Sequence, residues 1–190
     1  MMASWMIWGA LMGFPDQGDH TAMVSAISAN AAISKWLMGL ATLFVLLMAA
    51  GIAGLKGSMA GGSGSDYAAI GILIFLMSAA FGLGETALTI AAGDVGATGN
   101  AAVATTIYLA GNGIGAIATA GIFLGMSILG LGIYIQKNFN IILAVLLIAS
   151  GLFGIVMTLY DYGNPSMIVG YAGMSLCVVA MGVSTLRASD

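Results

Sequence analysis

Long apolar runs separated by short polar segments make up almost the whole of this 190-residue chain. Five of these runs hold about twenty residues or more with very few charged side chains. The hydrocarbon core of a bilayer is about 30 Å thick and a helix rises about 1.5 Å per residue, so runs of this length predict membrane-spanning helices. The predicted spans are approximately residues 34–55, 67–92, 112–136, 140–160 and 166–187. The pattern therefore predicts an all-α, polytopic transmembrane bundle that forms a single integral membrane domain.

Two segments depart from this simple pattern. The third run begins at Ala101, and residues 101–136 as one helix would be about 54 Å long. Either its Ala- and Thr-rich beginning projects beyond the bilayer, which we favour, or the run bends at Gly111–Gly115, as discontinuous helices do at transporter sites. Residues 1–14 are apolar but would reach only about 21 Å as a helix. We predict a short sixth span there, with an interfacial or re-entrant helix and a processed N-terminus as alternatives.

Polar segments predict the connections between the spans. Asp19 precedes a helix-compatible run, which predicts an N-cap followed by a short surface helix over His20–Ile33. The Gly- and Ser-rich segment Lys56–Asp66 is typical of a flexible linker. Clusters of Gly, Asn, Asp and Pro predict further loops or turns at residues 93–100, 137–140 and 161–165.

The composition excludes several classes of protein. The chain is 61% hydrophobic and only 6% charged, with a mean hydropathy of +1.09, whereas soluble domains carry roughly 25% charged residues. Four Lys and Arg residues cannot form the clustered basic patch that nucleic-acid binding requires. The single cysteine, Cys177, excludes an internal disulfide. The 29 glycines, many within spans, favour close packing between membrane helices.

The few charged residues also predict an orientation. If the five long runs each cross the bilayer once, Lys56, Lys137 and Arg187 fall on one side, and the other side receives the Asp-rich loops and Lys35. Lys and Arg favour the cytoplasmic side of a membrane. We therefore predict a cytoplasmic C-terminus and external Asp-rich loops.

Glu85 is the only acidic residue within a predicted span. Placing a carboxylate in lipid costs on the order of 2.5–3.5 kcal/mol, so such a residue is a candidate for a functional site. Its partner would be Asn112, Tyr108 or Thr105 if the third span packs beside the second. The plainer interpretation, favoured at this point, is a carboxyl group that reaches the outer interface or accepts hydrogen bonds from neighbouring hydroxyl groups.

A second group of polar residues lies on the predicted external side. Asp16, Asp19 and His20 are weak candidates for a metal site, because carboxylates and an imidazole can bind a divalent cation. One histidine does not suffice for the ligand sets of the common catalytic metals. Helix capping within a solvated loop explains these residues more simply, and no cofactor is predicted.

Motifs for catalysis are missing from the sequence, since it contains no nucleophile–base pair, phosphate-binding loop or metalloprotease signature. We therefore predict a protein that is not an enzyme. The favoured hypothesis is a structural or accessory subunit that packs against a larger membrane complex, with lipid and other membrane subunits as partners. The alternative is a small-solute or ion transporter or channel that uses Glu85 and the Gly-rich region around Asn112. A third hypothesis is an external cation-binding module.

Overall fold

The computed structural model describes residues 2–13, 15 and 18–188. Within these residues the chain forms seven α-helices and no strand: α1 (Met2–Leu11), α2 (His20–Ala29), α3 (Ala31–Ser58), α4 (Ser65–Ala97), α5 (Ala101–Gln136), α6 (Ile141–Tyr160) and α7 (Met167–Ala188). In the described chain, the five helices α3 to α7 are long and apolar enough to cross a membrane. The prediction of an all-α bundle with five long spans is confirmed, and the chain is a multi-pass integral membrane protein.

The N-terminal helix α1 is shorter than a bilayer core. Its ten residues rise about 15 Å, about half of the hydrocarbon thickness. The Trp8 side chain is buried, and its indole Nε1–H donates a hydrogen bond of 3.0 Å to Ser34 Oγ at the start of α3. The short sixth span therefore stays a prediction, whereas the contact between α1 and α3 is a feature of the structure.

Helix α2 begins as predicted but is not a surface helix. The Asp19 carboxylate accepts a hydrogen bond of 2.9 Å from the backbone N–H of Ala22, which confirms the N-cap. The helix ends at Ala29, four residues before the predicted end. Met23, Val24 and Ile27 are buried, because this spacing brings all three onto one helical face. The expectation of a surface helix was wrong on that face.

The segment Lys56–Asp66 is a compact turn rather than a flexible linker. Helix α3 extends to Ser58 and α4 starts at Ser65, so that only six residues connect them. The turn is closed by backbone hydrogen bonds, among them Ser65 N–H to Gly62 C=O at 3.1 Å. Met59 is fully buried, which explains why this Gly-rich segment has a defined conformation.

The remaining connections are also short. Helix α4 continues to Ala97, so the loop predicted over residues 93–100 shrinks to three residues. The predicted turn at 137–140 is confirmed, with Lys137 at a φ of 58° and Asn140 Oδ1 accepting from the N–H of Ile142 at the start of α6. The turn at 161–165 is confirmed as well, since the Asp161 carboxylate accepts from the backbone N–H of Gly163 at 3.1 Å.

Helix α5 is one unbroken helix from Ala101 to Gln136. No break interrupts the helix at Gly111–Gly115, where a discontinuous helix was the alternative. Glycine in a helix interior is compatible with intact backbone hydrogen bonds. A membrane favours the unbroken helix, because no water is available there to bond with free backbone groups.

The chain divides into two compact units. Unit 1 comprises residues 1–47 and 80–117, and unit 2 comprises residues 48–79 and 118–190. Buried apolar side chains from α1, α2, α3, α4 and α5 form the core of unit 1: Trp8, Met12, Met23, Val24, Ile27, Met38, Ala92, Ala104 and Tyr108. The large side chains that are fully buried in unit 2 include Phe75, Phe123, Met126, Leu129, Ile133, Leu147, Met174 and Met181.

Candidate intramembrane polar site

Glu85 lies closer to the middle of its helix than the sequence suggested. The predicted span ended at Ala92, which put Glu85 near the outer boundary, but α4 continues to Ala97. Glu85 is four residues, or about 6 Å, beyond the midpoint of this 33-residue helix, and about 18 Å of helix follow it. A carboxyl group at this position is therefore far along the helix from either end.

The Glu85 side chain lies on a glycine-lined face of α5 within unit 1. A Cβ atom added at Gly115 would collide with the carboxyl carbon and both carboxylate oxygens of Glu85. One turn earlier, a Cβ at Gly111 would come within 3.2 Å of Leu88 Cβ and 3.6 Å of the Glu85 carbonyl oxygen. Because Gly111 and Gly115 have no side chains, they leave a notch in the surface of α5, which we call the glycine notch. The Glu85 carboxyl group occupies this notch.

Two of the three partners proposed from the sequence lie at this notch. Tyr108 is buried, and Asn112, one turn along α5, and Glu85 both lie close enough to act on its hydroxyl group. Thr105 is engaged elsewhere, since its hydroxyl donates to the carbonyl of Ala101 at 2.9 Å. Glu85, Tyr108 and Asn112 therefore form one polar cluster on adjacent faces of α4 and α5.

His20 adds a group that sequence reasoning did not connect with this cluster. Its imidazole ring lies against the Tyr108 ring, with centroids 6.1 Å apart and an interplanar angle of 54°. His20 Nδ1 is buried and has no hydrogen-bond partner among the described residues. The two residues are 88 positions apart in the chain, so no local pattern could have indicated the contact.

The structure gives other contacts to two of the residues suggested for an external metal site. Asp16 lies outside the described residues. Asp19 acts as the N-cap of α2, and the imidazole of His20 faces Tyr108. In the described ranges no three His, Cys, Asp or Glu residues gather in a group that could hold a metal ion.

Lys35 and Asp94, both predicted for the external side, meet in unit 1. Lys35 Nζ lies 2.8 Å from Asp94 Oδ2, with both side chains about half exposed. An exposed pair of this kind contributes only about 0–1 kcal/mol to stability. The pair is informative about topology instead, because it joins the beginning of α3 to the end of α4. The sequence predicted both charges for the same, external side of the membrane.

The cluster has the chemistry of a site for a proton or a small cation. It combines one carboxylate with a phenolic hydroxyl and a carboxamide, all of which offer oxygen atoms. Oxygen ligands suit hard cations, and an intramembrane carboxylate can also bind and release a proton.

Comparison with known proteins assigns this chain to no family. No known protein family matches it, and neither a curated protein nor a solved structure is detectably similar to it.

Proposed function

We propose that this membrane protein is non-catalytic and moves protons or small cations, with Glu85 as the residue that binds them. The observation that supports the proposal is the Glu85 carboxyl group in the glycine notch, near the middle of α4 and beside Tyr108 and Asn112. Ionisable residues inside a membrane are costly, and where they occur they commonly mark pathways for ions or protons.

The details of the notch favour this function over the plainer interpretation. A carboxyl group that only had to reach the interface would not need a neighbouring helix without side chains at that position. Here the space for the carboxyl group depends on Gly115, and the charge of Glu85 acts on Tyr108 of α5, which lies against His20 of α2. The unbroken course of α5 removes the discontinuous helix as an argument, so the proposal depends on the carboxyl group and its surroundings.

The test is the neutral, nearly isosteric substitution Glu85→Gln in protein reconstituted into vesicles. Proton uptake is followed with an enclosed pH-sensitive dye under a membrane potential, and sodium and potassium uptake with isotopes. We expect uptake of at least one of these ions above protein-free vesicles, and loss of that uptake in Glu85→Gln, because an amide cannot exchange the proton or balance the cation charge.

Asp66→Asn provides the matched control on the same helix. Asp66 lies in the first turn of α4, 19 positions before Glu85, and its neutralisation removes the same charge outside the notch. Uptake should persist in this variant. Equal uptake by wild-type protein and Glu85→Gln, or wild-type uptake no faster than protein-free leakage, would contradict the proposal.

A second candidate function, the accessory subunit, is favoured by the outward face of α3. Only 17% of the most apolar stretch of α3 is buried, the smallest share among the five long helices of the described chain. Added Cβ atoms at Gly39, Gly51, Gly54 and Gly57 would meet no described atom within 4 Å. Small residues on an exposed membrane face allow another helix to approach closely.

A bulky residue on this face tests the second candidate. If α3 docks on a partner subunit, Gly54→Leu should abolish co-purification of that partner from native membranes in mild detergent, because the side chain would hold the helices apart. Gly182→Leu is the control, since Gly182 of α7 also has open space around it. Recovery of the wild-type protein alone, or an unchanged assembly in Gly54→Leu, would exclude docking through this face.

A further inference from the structure

A cleft of about 310 Å³ lies at one end of unit 2, remote in sequence from the Glu85 cluster. It is bounded by the end of α3, the turn between α5 and α6, and the last turns of α7. Five of the six lining residues carry hydroxyl or carboxamide groups, and none is charged: Ser58, Asn138, Phe139, Asn140, Ser184 and Thr185. The lining residues are therefore uncharged, although most of them can form hydrogen bonds.

Three basic residues are close in sequence to the residues that line this cleft. Lys56, Lys137 and Arg187 each lie within two positions of a lining residue along the chain, and together they are three of the four Lys and Arg residues of the protein. All three side chains are exposed, and within the described residues none of them forms an ion pair. Asp66, in the first turn of α4, is the nearest acidic residue in sequence to Lys56. Asp190 is the acidic residue nearest in sequence to Arg187, so the chain segments next to the lining residues carry three basic residues against Asp66 and Asp190.

The turn between α5 and α6, which supplies three of the lining residues, has a defined geometry. Lys137 adopts a positive φ of 58°, a conformation that non-glycine residues seldom take, and the chain reverses there. Asn138 Nδ2 lies 2.7 Å from Sδ of the buried Met59, which ties this turn to the turn between α3 and α4. Helix α6 begins directly after this turn at Ile141, and Asn140 Oδ1 caps it by accepting from the Ile142 N–H.

The apolar surroundings indicate what kind of anion fits. Ile142 at the start of α6 is 68% exposed, and Leu186 near the end of α7 is 70% exposed. These side chains continue the apolar outer faces of two membrane-spanning helices away from the cleft. A ligand with a phosphate group and an acyl chain would match both parts of this surface.

We propose that this cleft binds the phosphate group of an anionic membrane lipid, with Lys56, Lys137 and Arg187 at the headgroup and the outer faces of α6 and α7 along the acyl chains. The competing explanation is that Lys56 and Arg187 only complement the C-terminal ends of α3 and α7, where cations are favourable in any helix. The proposal is independent of ion movement through Glu85.

The test asks which of two lipids the protein retains. The protein is purified in a detergent that contains equal amounts of phosphatidylglycerol and phosphatidylcholine, and the bound lipid is identified by native mass spectrometry. We expect phosphatidylglycerol adducts to predominate on the wild-type protein. Replacing Lys56, Lys137 or Arg187 singly with glutamine should weaken phosphatidylglycerol binding about fivefold in each variant. The fourth basic residue serves as the control: Lys35→Gln in unit 1 should leave the preference unchanged.

A second variant tests the space in the cleft independently of the basic residues. Ser184→Leu fills the cleft without changing the net charge, and it should also abolish the preference for phosphatidylglycerol. No preference in the wild-type protein, equal loss in Lys35→Gln and Lys137→Gln, or an intact preference in Ser184→Leu would each overturn the proposal. Displacement of the lipid by millimolar inorganic phosphate at equal affinity would assign the cleft to soluble phosphate and likewise overturn it.

Discussion

Replacing Gly125 with alanine is expected to lower the free energy of unfolding by about 1–3 kcal/mol, the cost typical of an overpacked core. Within unit 2 the new Cβ atom would lie 2.6 Å from the carbonyl oxygen of Gly71 and 2.6 Å from the backbone nitrogen of Phe75. Backbone atoms cannot rotate out of the way as a side-chain end can. The variant must therefore separate α4 from α5 or unwind part of one helix.

The control for this substitution is available on the same helix. Gly113 has open space where its Cβ would be, so Gly113→Ala should be neutral or slightly stabilising, because alanine favours helix more than glycine does. The measurement is thermal or denaturant unfolding of both variants in the same detergent. If Gly125→Ala proved as stable as Gly113→Ala, the close approach of α4 and α5 at this position would not exist.

Gly115→Ala is expected to impair ion uptake as strongly as Glu85→Gln while leaving the fold largely intact. The three atoms nearest to the added Cβ would be the carboxyl carbon and the two carboxylate oxygens of Glu85, all of them at the end of a side chain. A flexible side chain can yield where a backbone cannot, so the collision displaces the carboxylate rather than the helix. The variant retains every ionisable group of the protein and changes only the position of the Glu85 carboxylate.

Two measurements read out this effect. Ion uptake in vesicles reports function, and the rate at which dicyclohexylcarbodiimide labels Glu85, followed by mass spectrometry, reports the surroundings of the carboxyl group. We expect uptake to fall and the labelling rate to change in Gly115→Ala, with both unaltered in Gly113→Ala. A loss of stability comparable to that of Gly125→Ala would instead identify the notch as ordinary helix packing.

Much of this architecture follows from local properties of the sequence. The five long helices depend on the length and apolarity of each run, and neither quantity requires knowledge of a neighbour. The N-cap at Asp19 and the turns at 137–140 and 161–165 depend on residues within a few positions of one another. These features were predicted correctly because their causes are local.

The errors share the opposite cause. Lys56–Asp66 has the composition of a linker, and only the burial of Met59 and its contact with Asn138 show that it is a compact turn. Helix α2 reads as a polar surface segment, yet Met23, Val24 and Ile27 are buried in the core of unit 1. In each case a partner distant in sequence overrides the local composition.

The candidate site shows the same division between the two kinds of information. That Glu85 is an exceptional residue can be seen from the sequence alone, because a carboxylate within an apolar run is costly wherever the helix packs. The surroundings were decided by tertiary structure: the Glu85 carboxyl group lies against Gly115 and acts on Tyr108, and Tyr108 in turn lies beside Asn112 and the imidazole of His20. Hydrophobicity determines which segments enter the membrane, whereas the fit of side chains between helices determines which polar groups meet there.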